Sequence, residues 1–341
     1  MELGILTLSD LQTSLDTGKP VTAAQRVADT IGYGMLADQL GIDLFAVGEH
    51  HSLEYAVASP AVVLAAIAAR TRTIRLTSAV TVLSALDPVR VYQDFAQLDL
   101  VSNGRAEIIA GRSAFVEPFA LFGHRVEDYD ALYSEKLDLL LRLREQRQVT
   151  WSGHFRTALH GAEIAPRAVQ NPLPLWVGVG GSPASAERAG RLGLPMILGY
   201  IGGPLSHARR SVDLYRAAGE QAGHPDKLRV GISTHFYAGA DPRSARDVYP
   251  YYREYLRPKK PGGRGFDVNR AAFEAGTQRG QAIMVGSSDE LVEKILDACQ
   301  LLGIDRFYAQ FDWGGMPRPM VEDSVHRYAT EIAPAVRATD A

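Results

Sequence analysis

The chain has a single cysteine, Cys299, among its 341 residues. One thiol excludes an internal disulfide and any cysteine-based metal cluster, and it fits a reducing compartment. Cys299 falls at an apolar position in a stretch of helical period, which reads as core packing. An excess of one charge is also missing. Lys and Arg number 36 against 39 Asp and Glu, for a net charge of −3. With both signs interspersed, no global field points to nucleic acid or to an anionic membrane. Long hydrophobic runs are lacking too: the most apolar stretch, residues 56–69, is too short to span a bilayer and contains Pro60. The chain enters a strand directly after Met1, without the basic region and apolar run of a leader, so a soluble, cytoplasmic protein is expected. HExxH, GxSxG and Walker motifs are absent, and the histidines outside positions 50 and 51 stand singly. No metal site is therefore expected.

Short apolar, β-rich runs alternate with longer segments of helical period, the pattern of a parallel α/β fold. Strands are expected over residues 3–8, 44–47, 74–82, 106–110, 175–179, 196–198, 228–236 and 307–311. Helices fit between or after them, at residues 23–40, 60–69, 88–101, 129–144, 183–192, 205–222, 288–302 and 321–336. Eight strands alternating with eight helices imply a single (β/α)8 TIM-like barrel over residues 1–341, in keeping with the ~250 residues such a barrel needs before insertions. Two insertions break the rhythm. Residues 146–173, with Trp151, Gly153 and Phe155, suggest a small β excursion before strand 5. Residues 241–282, between strands 7 and 8, read as a structureless connection: a mobile lid or an insertion. Its basic run, residues 257–265, either grips an anionic group or is a solvated loop.

Barrel enzymes keep their chemistry just past the C-terminal ends of the strands. Glu49-His50-His51 follows the run Leu44-Phe45-Ala46-Val47, so His50 is a candidate acid or base, against the alternative of a solvated loop histidine. Gly180-Gly181-Ser182-Pro183-Ala184-Ser185 joins the fifth strand to its helix. Ser182 suits the N-cap and Pro183 the first helical position. The free amide N–H groups of such a start, with glycines allowing close approach, make either a phosphate seat or an ordinary capped helix. Pro183 at the third glycine position of GxGxxG argues against a dinucleotide fold. Arg112, past the fourth strand, is a phosphate ligand or a surface ion-pair residue. In the third strand, small residues at Thr77, Ser78 and Ala79 interrupt an apolar run, which either gives a flat ligand access to the backbone or packs the barrel interior.

Taken in order along the chain, several segments resemble the bacterial luciferase-like flavin monooxygenase family. They are Asp43 through His51, Ser78-Ala79-Val80-Thr81-Val82 with Asp87-Pro88-Val89-Arg90, and Asp99 through Arg105. Ala110-Gly111-Arg112, Gly181 through Ser185, Gly193 through Leu198, Val285 through Leu291 and Glu331 through Pro334 continue the likeness. The resemblance implies a barrel that uses reduced FMN, supplied by a separate reductase, together with molecular oxygen. It makes His50 the catalytic histidine, flanked by Glu49 and His51. It assigns the FMN phosphate to Arg112, Ser182 and Ser185, with the amides of Gly180 and Gly181 nearby, and places a non-proline cis peptide at Ala79-Val80 beside the flavin ring. Homodimerisation is a further implication.

The segment after Arg112, residues 113–123, resembles a poorly characterised branch rather than the light-emitting enzymes. Gly111 stands where those carry a reactive cysteine, and Asp130 where some relatives offer a basic phosphate contact. The expected function is oxygenation of a small organic substrate through a flavin hydroperoxide, with the His50 pKa set by Glu49 or by burial. Phe115, Phe119, Phe122, Tyr200 and Trp313 are either an apolar substrate wall or ordinary core aromatics. The rival readings are a deazaflavin-dependent hydride-transfer oxidoreductase and a flavin-binding barrel without turnover.

Overall fold

The computed structural model describes residues 1–113, 115–258 and 265–340. Ala114 and most of the basic run, residues 259–264, lie outside the described residues. Eight strands form the barrel: β1 (Glu2–Thr7), β2 (Leu44–Val47), β3 (Arg75–Ser78), β4 (Ala106–Gly111), β5 (Leu175–Val179), β6 (Met196–Gly199), β7 (Val230–Ala238) and β8 (Arg306–Gln310). Each pairs in parallel with the next. β8 returns to β1 with Glu2 opposite Arg306 and Leu6 opposite Gln310, which closes the cylinder. The fold is the expected (β/α)8 barrel, with helices packed between successive strands on the outside.

Strands buried on both faces need apolar side chains in both directions, which is why they read as continuous hydrophobic runs. All four residues of β2 are buried. Leu6, Leu44, Ala46, Ile109, Trp176, Ile197 and Tyr308 form one buried cluster, with Leu8, Ala79 and Val80 packed against it. Leu3, Ile5, Phe45, Val47 and Ile108 belong instead to the larger core shared with the helices. At the N-terminal end of the barrel the buried Arg306 guanidinium meets Glu107 at 2.7 Å and Glu2 at 2.6 Å. Arg75 also pairs with Glu107 and with Glu2. Arg306 lies over the Trp176 ring at 4.1 Å.

Helix ends follow local chemistry. Asp87 caps the helix Pro88–Ser102 by accepting from the amides of Val89 and Arg90. Asn103, left-handed at φ 56°, ends it. Arg105 then donates to the carbonyls of Ala68, Thr71 and Ile74, satisfying the end of the preceding helix, Pro60–Ala68. This explains the Asp99-to-Arg105 segment as a structural joint rather than a ligand site.

Residues 146–173 hold an antiparallel hairpin, Gln148–Trp151 with Leu159–Glu163, anchored by the Trp151 indole donating to Asp138 at 3.0 Å. Residues 241–282 are not structureless as expected. They carry the helices Pro242–Arg246, Tyr249–Leu256 and Arg270–Thr277, started by Asp241 and Asn269 as side-chain caps at the first and third. The last helical stretch begins earlier than expected, at Arg318, and contains a π-turn at Tyr328–Ile332. Among the described residues, no helix is long and apolar enough to cross a membrane.

His235 on β7 is buried with Nδ1 3.1 Å from the Tyr252 hydroxyl, and burial pushes its imidazole down to about 3. An unfolded imidazole takes up a proton below about 6.5. The folded one does not do so until far lower, so acid favours the unfolded chain and stability falls as pH drops from about 6.5. The denaturant midpoint should therefore be lower at pH 5 than at pH 7, and His235→Gln should reduce that difference.

Candidate active site

β2, β3, β4 and β5 are consecutive neighbours, so the residues just past their C-terminal ends share one mouth of the barrel. After β2, the His50 ring stacks on Tyr55 at 3.9 Å and meets the edge of Phe115 at 5.2 Å. Its backbone N–H donates to the Val57 carbonyl at 3.0 Å. Burial, with a smaller contribution from His51, pushes the His50 imidazole down to about 4. His50 is therefore neutral at neutral pH, a hydrogen-bonding group or base rather than a cation.

Glu49 does not tune His50 through a direct bond. Its Oε1 lies 2.8 Å from His51 Nε2, and its Oε2 accepts from the Val82 amide at 3.1 Å. Glu49 thus ties the loop after β2 to the segment after β3. His51 meets the edge of Phe122 at 5.0 Å. Glu49 and His51 also border a cavity of about 340 Å³ lined by Pro60, Asp87, Arg90 and Phe122, which His50 does not line. The two histidines serve different surroundings.

β3 ends at a cis peptide between Ala79 and Val80, as the resemblance implied. Beyond it, Thr81–Val82 pairs with β4. The Val80 side chain fills the space between two glycines. A Cβ on Gly111 would meet Val80 Cγ2 at 2.3 Å, and one on Gly178 would meet Cγ1 at 2.7 Å. The cysteine of the light-emitting enzymes therefore has no room at position 111 while Val80 is present. Gly111→Ala should destabilise the fold by about 1–3 kcal/mol through overpacking. Adding Val80→Ala should restore part of the loss, read as the urea midpoint.

After β4 and β5 lies the candidate phosphate seat. Arg112 Nη2 donates to Ser185 Oγ at 2.7 Å, Nη1 pairs with Asp130, and the guanidinium lies over the Tyr129 ring at 4.8 Å. Arg112 thus faces the helix start through Ser185 and forms an ion pair with Asp130. Ser182 occupies the N-cap of the helix Pro183–Arg191, yet its side chain makes no capping bond. Nothing stands within 4 Å of where a Cβ on Gly180 or Gly181 would lie. Arg188, which sequence reasoning missed, sits 3.7 Å from the same Asp130 carboxylate oxygen and over Tyr133 at 5.5 Å. Its Nη1 is buried without a hydrogen-bond partner. Open glycines, a helix start and two guanidinium groups fit an anionic phosphate.

The opposite side of the mouth holds a second cluster that sequence reasoning did not find. Asp312, two residues past β8, meets Arg26 at 2.8 Å and accepts from the Thr7 hydroxyl at 2.8 Å. Asp312, Ser9 and Ser113 each stand two residues past a barrel strand with φ of 59°, 53° and 84°. Left-handed backbone at non-glycine residues costs of order 1–3 kcal/mol and gathers at functional ends of folds. Of the five aromatics read as either a substrate wall or core, Phe115 reaches His50 and Phe122 reaches His51. Phe119 packs on Tyr129 and Trp313 on Tyr252, both fully buried. The Tyr200 hydroxyl donates to the Pro204 carbonyl. The five do not form one surface.

Residues 1–306 match the model of the luciferase-like monooxygenase family. A protein of Sinorhizobium fredii called y4vJ, itself uncharacterised, is 26% identical over 93% of both chains. The N-acetyl-S-alkylcysteine monooxygenase of Bacillus subtilis is 29% identical over 64% of this chain and 65% of its own. Among solved structures, monooxygenase RslO1 from Streptomyces bottropensis superposes with a TM-score of 0.80 at 24% identity, over 98% of this chain and 99% of that one. The oxygenating constituent of 3,6-diketocamphane monooxygenase from Pseudomonas putida, solved with FMN, gives 0.79 at 18% identity over 98% of each. An F420-dependent secondary alcohol dehydrogenase gives 0.73 at 17% identity, over 98% of this chain and 99% of that one. At these identities the structural likenesses establish the fold alone. The family match, spanning β1 to β7 and the ends of β2, β3, β4 and β5 at the mouth, makes the chain a member of the luciferase-like monooxygenases and a flavin-dependent oxidoreductase.

Proposed function

We propose that this protein is the oxygenating component of a two-component FMN-dependent monooxygenase, fed with reduced FMN by a separate reductase. The observation that carries the reading is that Arg112, Arg188 and an open glycine-led helix start share one barrel mouth with the half-buried His50 imidazole, which is neutral at neutral pH. Arg112, Ser185, the Ser182 hydroxyl and the amides from Gly180 onward bind the phosphate. Ala79 and Val80 supply the backbone floor at the end of β3. When bound, reduced FMN supplies two electrons to dioxygen, one oxygen atom going to a small organic substrate and the other leaving as water.

His50 acts at neutral pH as a hydrogen-bonding base beside the reacting groups, fixed in orientation by Tyr55 and Phe115. Glu49 and His51 act through position, holding the loop after β2 against the Val82 amide. The aromatic rings at His50 favour a hydrophobic or aromatic substrate and help exclude water. The working unit in this reading is a cytoplasmic homodimer.

A panel of small organic compounds, incubated with reductase, FMN and isotopically labelled dioxygen, tests the assignment. Label in an organic product supports it. Unlabelled oxidised product without oxygen uptake would transfer the reading to deazaflavin-type hydride chemistry. Flavin oxidation with no product across the panel would leave a binding protein without turnover.

A further inference from the structure

The phosphate seat contains a carboxylate where an anion would have to go. Arg112 and Arg188 come from different elements, the end of β4 and the helix Pro183–Arg191, yet both converge on Oδ1 of Asp130. Their guanidinium groups rest on Tyr129 and Tyr133, which flank Asp130 one turn apart on the helix Tyr129–Glu145. The tyrosines are fixed in turn. Tyr129 donates to the Ser113 carbonyl at 2.8 Å and Tyr133 to the Ala110 carbonyl at 3.2 Å. The two cations are therefore held in place from below by aromatic faces, and the Asp130 side chain is the solvent-facing member, 70% exposed. Arg188 still has Nη1 buried without a partner. Asp130 meets only part of the donor capacity of the pair.

We propose that Asp130 sets the affinity of this seat: its carboxylate stands in for a phosphate between Arg112 and Arg188 and weakens the hold on a phosphate-bearing flavin. The inference rests on the flavin reading above and adds the residue that makes the flavin an exchangeable substrate rather than a resident group. A phosphate and a carboxylate cannot share the same two guanidinium groups without like-charge repulsion. Either Asp130 turns out to solvent, losing its ion pairs, or it stays and repels the incoming anion. Both routes subtract from flavin affinity, and both act on the phosphate alone. A system fed by a diffusing reduced flavin needs release as well as binding.

The test is an anaerobic equilibrium titration of the whole chain with reduced FMN and, separately, with reduced riboflavin, which lacks the phosphate. Asp130→Asn and Asp130→Ser keep a small polar side chain and remove the charge. Both should tighten FMN by about tenfold, the effect of ~1.4 kcal/mol, and leave riboflavin unchanged. Arg188→Gln should weaken FMN several-fold, again without changing riboflavin. The Asp130 effect should shrink at high salt, because the site is solvent-exposed. Inorganic phosphate should compete with FMN more strongly in Asp130→Asn than in the unaltered protein. If the unaltered protein prefers FMN to riboflavin but neither Asp130 variant tightens FMN, this inference is overturned and the flavin reading stands. Failure of the unaltered protein to bind either flavin would overturn both. Unchanged circular dichroism and melting temperature establish that each variant is folded.

Discussion

Replacing His50 with alanine is expected, on the proposed function, to lower coupled oxygenation by roughly a hundredfold or more, the usual scale for removing a positioned acid or base. Reduced-flavin binding should change much less, because the proposed phosphate seat lies past β4 and β5 while His50 lies past β2. His50→Gln, which keeps a hydrogen-bonding group, should recover part of the loss. Burial gives this expectation a pH signature. The His50 imidazole is held down to about 4, so it stays neutral from about pH 5 upward. A rate profile that turned on an ordinary imidazole would bend near 6.5, whereas His50 contributes no bend there. Glu49→Gln should act differently. It preserves the oxygen that accepts from Val82 but weakens the bond to His51, so it loosens the loop and lowers both rate and thermal stability. Full activity in His50→Ala would remove His50 from the chemistry altogether.

The largest stability effect is expected at the other end of the barrel. Glu107 is fully buried and takes charge-assisted bonds from Arg306 and Arg75. Glu107→Gln leaves the buried Arg306 with Glu2 as its remaining carboxylate. Breaking a buried pair from one side costs about 3–5 kcal/mol, since the surviving charge stays desolvated. The urea midpoint should fall accordingly. Replacing both residues by apolar ones, Glu107→Met with Arg306→Met, should recover much of the loss, because apolar packing often matches a buried ion pair. Flavin affinity in the folded variants should be nearly unchanged, since the network lies at the N-terminal strand ends and the site at the C-terminal ends. A small shift in midpoint for Glu107→Gln would mean that Glu2 and Trp176 suffice for Arg306.

What the sequence made legible follows from locality. Strands buried on both faces must be apolar throughout, so β2 and β5 are readable to the residue. The Ser182-Pro183 helix start is likewise a local signal, and it marks where the seat lies. Partnerships between distant residues were not legible. Nothing near Arg188 announces Asp130, 58 positions away, and nothing near Asp312 announces Arg26. The partner of Glu49 depends on how the chain turns after β2, which the adjacency Glu49-His50-His51 leaves open. Residues 241–282 show the opposite balance. Asp241 before Pro242, with Ser244 closing a capping box, is a local helix signal that outweighs the glycine- and proline-rich run further along.

The most direct measurement mixes the protein anaerobically with reduced FMN, adds oxygen and follows flavin absorbance in a stopped-flow instrument. The account predicts that bound flavin reoxidises more slowly than free flavin, through a transient absorbance that belongs to neither the reduced nor the oxidised form. Reoxidation as fast as that of free reduced flavin, with no such transient, would contradict it.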